Sequence, residues 1–372
     1  MSFRSLPDHI FSAYGLQPIT VAAPQRGYRN HSYALSLADG RQLNLIQYKR
    51  DADITSRIRR ANQVGAWAAQ AGLPARTPAD PRILQAKGRA TTYFSLYNYL
   101  PGTTIPWEAY TQRHLKLLGL SLGRLHHALR QLPQPNSIQQ HLTADELNQQ
   151  LRLLSSYFNH TPVLSALAGK LRLTVNHSWL EQQATVLQAV SQLPHQQPLH
   201  LDFVRSNLLF APARPSDPLQ YEGLALTGIL DFEKVAWGHP GLDQARTLAF
   251  LLVDCRYKTP RQIRKYFLES GYRKRGGGMI ARESRTESPK LLLTELVDYY
   301  LFYDFYKFLR HNPYESLPSN QHFRRTVTLL ISRQILAPDD TIAKAVSGAV
   351  NGNALEEASH RPIRPHDPTR AA

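Results

Sequence analysis

Residues 199–210 read LHLDFVRSNLLF, and three of them can do chemistry. His200, Asp202 and Asn207 stand polar among apolar neighbours, with Pro198 just before them. An Asp followed five residues later by an Asn can close a tight loop in which both side chains face one point. There the carboxylate can accept the proton of an attacking hydroxyl, while the Asn carbonyl oxygen reaches a metal ion. Magnesium favours such oxygen ligands and needs few from protein when phosphates supply the rest. Further on, residues 228–233 read GILDFE. An apolar stretch ending on Asp231 delivers a second carboxylate where a strand gives way to a loop, a position suited to Mg²⁺ bridging nucleotide phosphates. Each segment alone is ordinary, because HxD and LDF occur by chance and buried Asp residues often cap turns. Their order, downstream of a β-rich unit, gives them weight.

These side chains need elements to hold them. His31–Leu37 (HSYALSL) reads as a strand, Ala38-Asp39-Gly40 as a turn, and 41–48 (RQLNLIQY) alternates as a half-buried strand does. Residues 54–71 have helical character and stop at Gly72-Leu73-Pro74. Residues 91–100 (TTYFSLYNYL) form a third strand, aromatic and β-branched, that runs into the turn Pro101-Gly102. Beyond it the pattern is helical. Leu115, Leu118, Leu122, Leu125 and Leu129 recur at helical steps and make one apolar face within 107–132. Thr143-Ala144-Asp145-Glu146 has capping-box form ahead of a helix reaching about residue 158. Residues 163–193 read as one or two helices, and 289–309 and 319–336 close the folded part. The polar stretch from 338 onward, with late Pro and Gly, is expected to be a mobile tail.

Bulk properties narrow the class. With 372 residues, 42% hydrophobic and 19% charged, the chain has the composition of a soluble globular protein with ample core. No apolar run is long enough to span a bilayer, and the N-terminus lacks a signal-peptide pattern, so a cytoplasmic enzyme is expected. Cys255 is the only cysteine, which excludes an intrachain disulfide and a Cys-rich zinc site. The net charge is +16, and half of that excess lies in 256–285, where ten Lys or Arg residues face two acids. A basic patch attracts phosphates, whereas a run of charge is more often a solvated helix face. Gly276-Gly277-Gly278 has no preceding strand and no following GK, and reads as a connector.

His200-x-Asp202-x4-Asn207 followed by Ile229-Leu230-Asp231-Phe232-Glu233 resembles the paired signature of the aminoglycoside phosphotransferase and choline kinase-like family. Trp237-Gly238-His239-Pro240-Gly241-Leu242-Asp243 resembles its G-x-P-x-x-D segment, Tyr99-Leu100-Pro101-Gly102 its hinge strand, and Leu125-His126 the helix that follows. The similarity touches residues from about 30 to 255, with the strong motifs in 199–243. It implies an α+β, two-lobed, protein-kinase-like fold. Residues 1–100 would be a nucleotide-binding lobe, 101–337 a helical catalytic and acceptor-binding lobe, and 338–372 a tail. It also implies ATP and Mg²⁺ as cofactors and a small-molecule hydroxyl as acceptor. In those terms Asp202 would be the catalytic base or hydroxyl-orienting group, Asn207 and Asp231 the metal ligands, His200 a support of the catalytic loop, and Asp243 a structural anchor.

The nucleotide side departs from the family pattern. A Lys or Arg is expected on the third strand of the small lobe, paired with a helix Glu. Gln47 aligns there with Lys49 two residues on, and the helix SRIRRANQVGAW has no acid, Asn62 being the nearest polar candidate. The covering loop would be QRGYRN at 25–30, with Arg26 and Arg29 able to touch phosphate and Tyr99 at the hinge. No GxxxxGK or GxGxxG occurs. Asp298 and Asp304, among the tyrosines of 298–308, are candidates for a cationic acceptor pocket, against the alternative of aromatic core packing. Two rival functions stand beside the kinase: a catalytically inactive kinase-like nucleotide-binding or scaffold protein, and an RNA- or membrane-surface-binding protein using 256–285. Nucleic acid is not the expected partner.

Overall fold

Alternating apolar residues in the first hundred positions build one mainly antiparallel sheet. The computed structural model describes residues 8–23, 25–26, 30–49, 53–87, 91–133, 143–276 and 288–338. A short helix α1 (Asp8–Ala13) precedes β1 (Pro18–Val21), β2 (Gln25–Arg26), β3 (His31–Leu37) and β4 (Gln42–Tyr48). Helix α2 (Ile54–Gln70) then leads to β5 (Pro78–Ala86) and β6 (Thr92–Asn98). The order is β1-β3-β4-β6-β5, with β2 beside β3. Register sets Leu35 opposite Leu43, and Leu45 opposite Leu96. With a side-chain period of two, these residues share one face with Ile10 of α1 and Tyr14 just after it. Ile46, Tyr48 and Tyr97 fall on the other face, against Ile54 and Ile58 of α2.

Strand β5 was not expected from its sequence, PADPRILQA. It lies at the sheet edge, where proline removes no shared ladder bond, and its pairing with β6 is interrupted between Pro78 and Ile83.

Helix α3 (Gln112–Arg130) is capped by Thr111 in a capping box with His114. This cap starts it later than the leucine pattern suggests, and Trp107–Ala109 forms a separate 3₁₀ turn. Leu115, Leu118, Leu122, Leu125 and Leu129 are all fully buried. Each such side chain stabilises the fold by about 1.5–3 kcal/mol relative to an exposed one. The described chain continues through α4 (Thr143–Phe158), α5 (Thr161–Ala166), β7 (Leu173–Val175) and α6 (His177–Ser191).

Strands then return within the helical part: β8 (Gln197–Leu199), β9 (Leu208–Pro212), β10 (Gln220–Tyr221), β11 (Leu224–Ile229) and β12 (Ala236–Gly238). After them come α7 (Gly241–Asp254), α8 (Pro260–Arg264) running into wider turns at Lys265–Gly276, α9 (Ser288–His311), α10 (Gln321–Ser332) and β13 (Leu336–Pro338). The fold is α+β, with a sheet lobe and a helical lobe. After Pro101-Gly102, Thr103 exchanges backbone hydrogen bonds with Phe210, and the Thr227 hydroxyl donates to the Pro101 carbonyl at 2.6 Å.

Contacts gather the chain into two compact units, Met1–Leu151 with Gln183–Tyr300, and Arg152–Gln182 with Leu301–Ala372. The first contains the sheet and the whole 199–243 segment. Within the second, β13 pairs with β7, and Phe158, Phe302, Phe305 and Phe323 form an aromatic core. Asp304 there is held by Lys307 at 2.9 Å and His322 at 2.8 Å. The tail from 339, the 277–278 part of the glycine connector and Arg29 lie outside the described residues. Among the described residues no helix is long and apolar enough to cross a membrane.

Candidate active site

The segment between β8 and β9 doubles back on itself. Val204 N donates to Asp202 O at 2.8 Å, Asn207 N donates to Val204 O at 2.9 Å, and Arg205–Asn207 is a 3₁₀ turn. This brings the Asn207 amide nitrogen onto Asp202, where it donates to the backbone oxygen at 3.0 Å and to Oδ2 at 3.1 Å. With its nitrogen so engaged, Asn207 turns Oδ1 toward other partners. The Ser206 hydroxyl, at 3.5 Å, is at the limit of a hydrogen bond to it.

The turn contains strain, and a buried carboxylate holds it. Leu201 has φ 55°, a left-handed conformation that costs a non-glycine residue about 1 kcal/mol or more. Asp243, on the first turn of α7, accepts from His200 N at 2.8 Å (Oδ2) and from Leu201 N at 2.6 Å (Oδ1). His126 of α3 completes the shell, with Nε2 at 3.1 Å from Asp243 and Nδ1 at 2.8 Å from the Tyr272 hydroxyl. Burial works to raise the Asp243 pKa, but the His126 hydrogen bond and charge and the backbone donors outweigh it and hold the group below the ordinary carboxylate value.

Strand β11 pairs antiparallel with β9, so that Ile229 lies opposite Leu208 and Leu230 N donates to Asn207 O at 2.8 Å. Asp231 follows at once, itself left-handed at φ 57°. His200 ties the two strand ends together: Nε2 donates to Leu230 O at 3.0 Å, and Nδ1 accepts from Asp202 N at 3.2 Å. Burial lowers the His200 pKa against the pull of Asp243, Asp202 and Asp231, which suits a neutral ring used as a brace. Asn207 and Asp231 thus sit at the ends of the paired strands β9 and β11, and the Asn207 amide joins Asp202 to them.

Sequence reasoning missed the cations at this site. Lys234 Nζ is 2.8 Å and Arg246 Nη2 3.0 Å from Asp202 Oδ1. Burial alone would raise the Asp202 pKa; Lys234 and Arg246 override it and bring the group down to about 2. A signal was available: Lys234 directly follows the LDFE run, and Arg246 lies one helical turn past Asp243.

On the nucleotide side the structure differs from expectation. Gln47 points to the sheet face away from α2, where its Oε1 accepts from the Tyr33 hydroxyl at 3.1 Å. Lys49 lies beyond the end of β4 and is exposed. The strand period explains this, since Ile46 and Tyr48 take the face toward α2. Tyr99 is exposed just past β6. Arg26 pairs by its backbone with His31, and its side chain, like Arg29, is outside the described residues.

A different group sits near Asp231. Tyr48, Asn62, Arg76, Tyr97, Asp231 and Glu233 line a small cavity. Arg76 is placed by its own backbone, N donating to Ile229 O at 2.9 Å, and its guanidinium lies over the Tyr97 ring at 5.3 Å. Gly65 of α2 makes this approach possible, because a Cβ there would collide with the Arg76 carbonyl oxygen. Asn62 Oδ1 is buried without a hydrogen-bond partner. Glu233 accepts from Asn30 Nδ2 at 3.3 Å, and burial together with the nearby Asp231 raises its pKa to about 7.

The profile of the phosphotransferase enzyme family APH matches residues 20–275. The chain belongs to this family. No curated protein matches it. Among solved structures it is similar to amicoumacin kinase hAmiN in complex with AMP-PNP, Ca²⁺ and Ami, at 13% identity and TM-score 0.59, over 86% of this chain and 93% of that one. It is also similar to the GDP complex of wild-type aminoglycoside 2'-phosphotransferase-IIIa, at 15% identity and TM-score 0.55, over 86% and 97% of the two chains. Macrolide 2'-phosphotransferase MphH from Brachybacterium faecium, an apoenzyme, matches at 15% identity and TM-score 0.52, over 85% and 96%. At these identities the likeness establishes the shared fold; the family assignment carries phosphotransfer as the coarse activity.

Proposed function

We propose that this phosphotransferase moves the γ-phosphoryl group of ATP to a hydroxyl of a small molecule, with Asp202 facing the acceptor oxygen and Asn207 and Asp231 as ligands of Mg²⁺. The 1–100 part would bind nucleotide, and 101–337 would supply the catalytic groups and bind the acceptor. The observation that carries the reading is the orientation of Asn207: its amide nitrogen is committed to Asp202, which leaves its side-chain oxygen for a metal, and its backbone oxygen accepts from Leu230 N, the residue before Asp231. Two hard oxygen donors suit Mg²⁺, and phosphate oxygens would complete its shell. Among the described residues no three His, Cys, Asp or Glu side chains gather as a self-sufficient cage, which agrees with a metal held jointly with nucleotide. When bound, the ion would supply charge neutralisation across the phosphates.

The chain's own residues would do the rest. The acceptor O–H donates to Asp202, which aims the oxygen lone pair at phosphorus. As the new O–P bond forms, the bond from phosphorus to the bridging oxygen of ADP breaks, and the acceptor proton passes to Asp202 and then to water. With a pKa of about 2, Asp202 is a weak base, so proton transfer comes late and orientation is its main contribution. Arg76, beside Asp231, would take the phosphate-holding role that Gln47 and Lys49 were expected to fill.

An inactive nucleotide-binding protein is the second reading, favoured by a helix α2 with no acid to pair with a strand lysine. Turnover separates the two. Wild-type protein should release ADP with a suitable acceptor, and Asp202→Ala should lose at least about a thousandfold in kcat while keeping its thermal shift with Mg·ATP. Equal rates in wild type and variant reject the assignment of Asp202.

A further inference from the structure

We propose that the acceptor is an anion: a hydroxylated small molecule whose carboxylate or phosphate is held by Lys234 and Arg246 beside Asp202. The inference rests on the phosphotransferase reading and adds the charge class of the acceptor.

Asp202 Oδ1 is shared by two cations, Lys234 Nζ at 2.8 Å and Arg246 Nη2 at 3.0 Å, while Oδ2 takes the Asn207 amide at 3.1 Å. One carboxylate therefore faces two positive charges. Other acids near Arg246 do not cancel the surplus. Asp243 spends both oxygens on His200 N, Leu201 N and His126. Glu146 is exposed and accepts from Gln150, so water screens it. Asp231 also favours the Lys234 ammonium, more weakly than Asp202 does.

The cations are also available. Arg246 Nε is buried with no hydrogen-bond partner, although its side chain is only 17% exposed. The remaining exposed part of the guanidinium can take a ligand, and its planar fork matches carboxylate and phosphate oxygens. Tyr300 supports the guanidinium from one side, its ring centroid 5.9 Å away. Lys234 leaves 47% of its side chain open to solvent, the direction from which an acceptor arrives. A polycation brought to the same carboxylate would meet net repulsion. Asp304, one of the two acids considered for a cationic pocket, is already committed to Lys307 and His322.

A matched series tests this on the full-length chain loaded with Mg·AMP-PNP. Calorimetric titrations compare glycerol, glycerate, glycerol 3-phosphate and 3-amino-1,2-propanediol, which differ in the charge attached to one diol. At least one of the two anions should bind tenfold or more tightly than glycerol, the two anions distinguishing carboxylate from phosphate, and the amine should bind most weakly. Lys234→Met should bring the anions down to the glycerol value, and Lys234→Arg should restore most of the preference. Four equal affinities, a preference for the amine, or an anion preference untouched by Lys234→Met overturns the proposal and leaves the phosphotransferase reading standing. Absence of any thermal shift with Mg·AMP-PNP removes that reading and the proposal with it.

Discussion

Asp243 touches no reacting group in this account, yet its carboxylate fixes the backbone of His200 and Leu201, and through them the angle of Asp202. Its folded pKa is held below the unfolded value of about 3.9, so its contribution to stability is present above that value and fades as pH falls through the folded one. Asp243→Asn should cost about 3 kcal/mol at pH 7, because an amide nitrogen would face a backbone N–H donor in a dry site. Thermal melts should show the gap to wild type closing below pH 4, whereas a gap constant from pH 3 to 8 would mean that the charge is irrelevant. Arg76 belongs to the same scale. Arg76→Met should raise the KM for ATP ten- to hundredfold, the loss of one charge-assisted contact worth about 1.5–3 kcal/mol, with a smaller change in kcat. Steady-state kinetics at varied ATP would check it, and an unchanged KM would return the phosphate role to another residue. The motif residues were legible because their types and spacing are themselves the chemistry. Lys234 and Arg246 were marked only by their places beside the LDFE run and Asp243, since a lysine in a loop and an arginine on a helix do not reveal which carboxylate they reach.

At the scale of elements, patterning gave β3, β4, β6 and α2 nearly to the residue and found α3 with its start about a turn too early. It failed for β5, an edge strand with two prolines, and for the short strands around the turn, whose few residues hold no period. It also left the direction of Gln47 open, since that required knowing which face of β4 meets α2. Helix crossings were invisible too. Gly119 of α3 lies against the backbone of Phe267 and Gly271, and a Cβ there would run into the Phe267 carbonyl. That crossing positions Tyr272, and Tyr272 in turn reaches His126 and the Asp243 shell. Gly119→Ala should therefore destabilise by about 1–3 kcal/mol, as overpacking does. Calorimetry would register the loss as a lowered Tm, and an unshifted Tm would mean that the two elements separate at no cost.

For the whole molecule, the +16 charge divides into parts with different meanings. In the described stretch 260–274, Ile263, Phe267, Leu268 and Tyr272 are buried while Arg261, Lys265 and Lys274 face outward, the pattern of a solvated helix face. The positive charge proposed to bear on function is the pair at Asp202. Fold class and family were legible because the 199–243 motifs are compact and ordered, while the acceptor was not, since no single segment of the sequence marks it. Asn207 and Asp231 are proposed to share one divalent ion. Electron paramagnetic resonance of Mn²⁺ titrated into the ADP-bound chain tests this most directly. One tight Mn²⁺ per chain should be seen in wild type, weakened at least about a hundredfold in Asp231→Ala and retained in Asp202→Ala. Tight binding that survives Asp231→Ala would contradict the account.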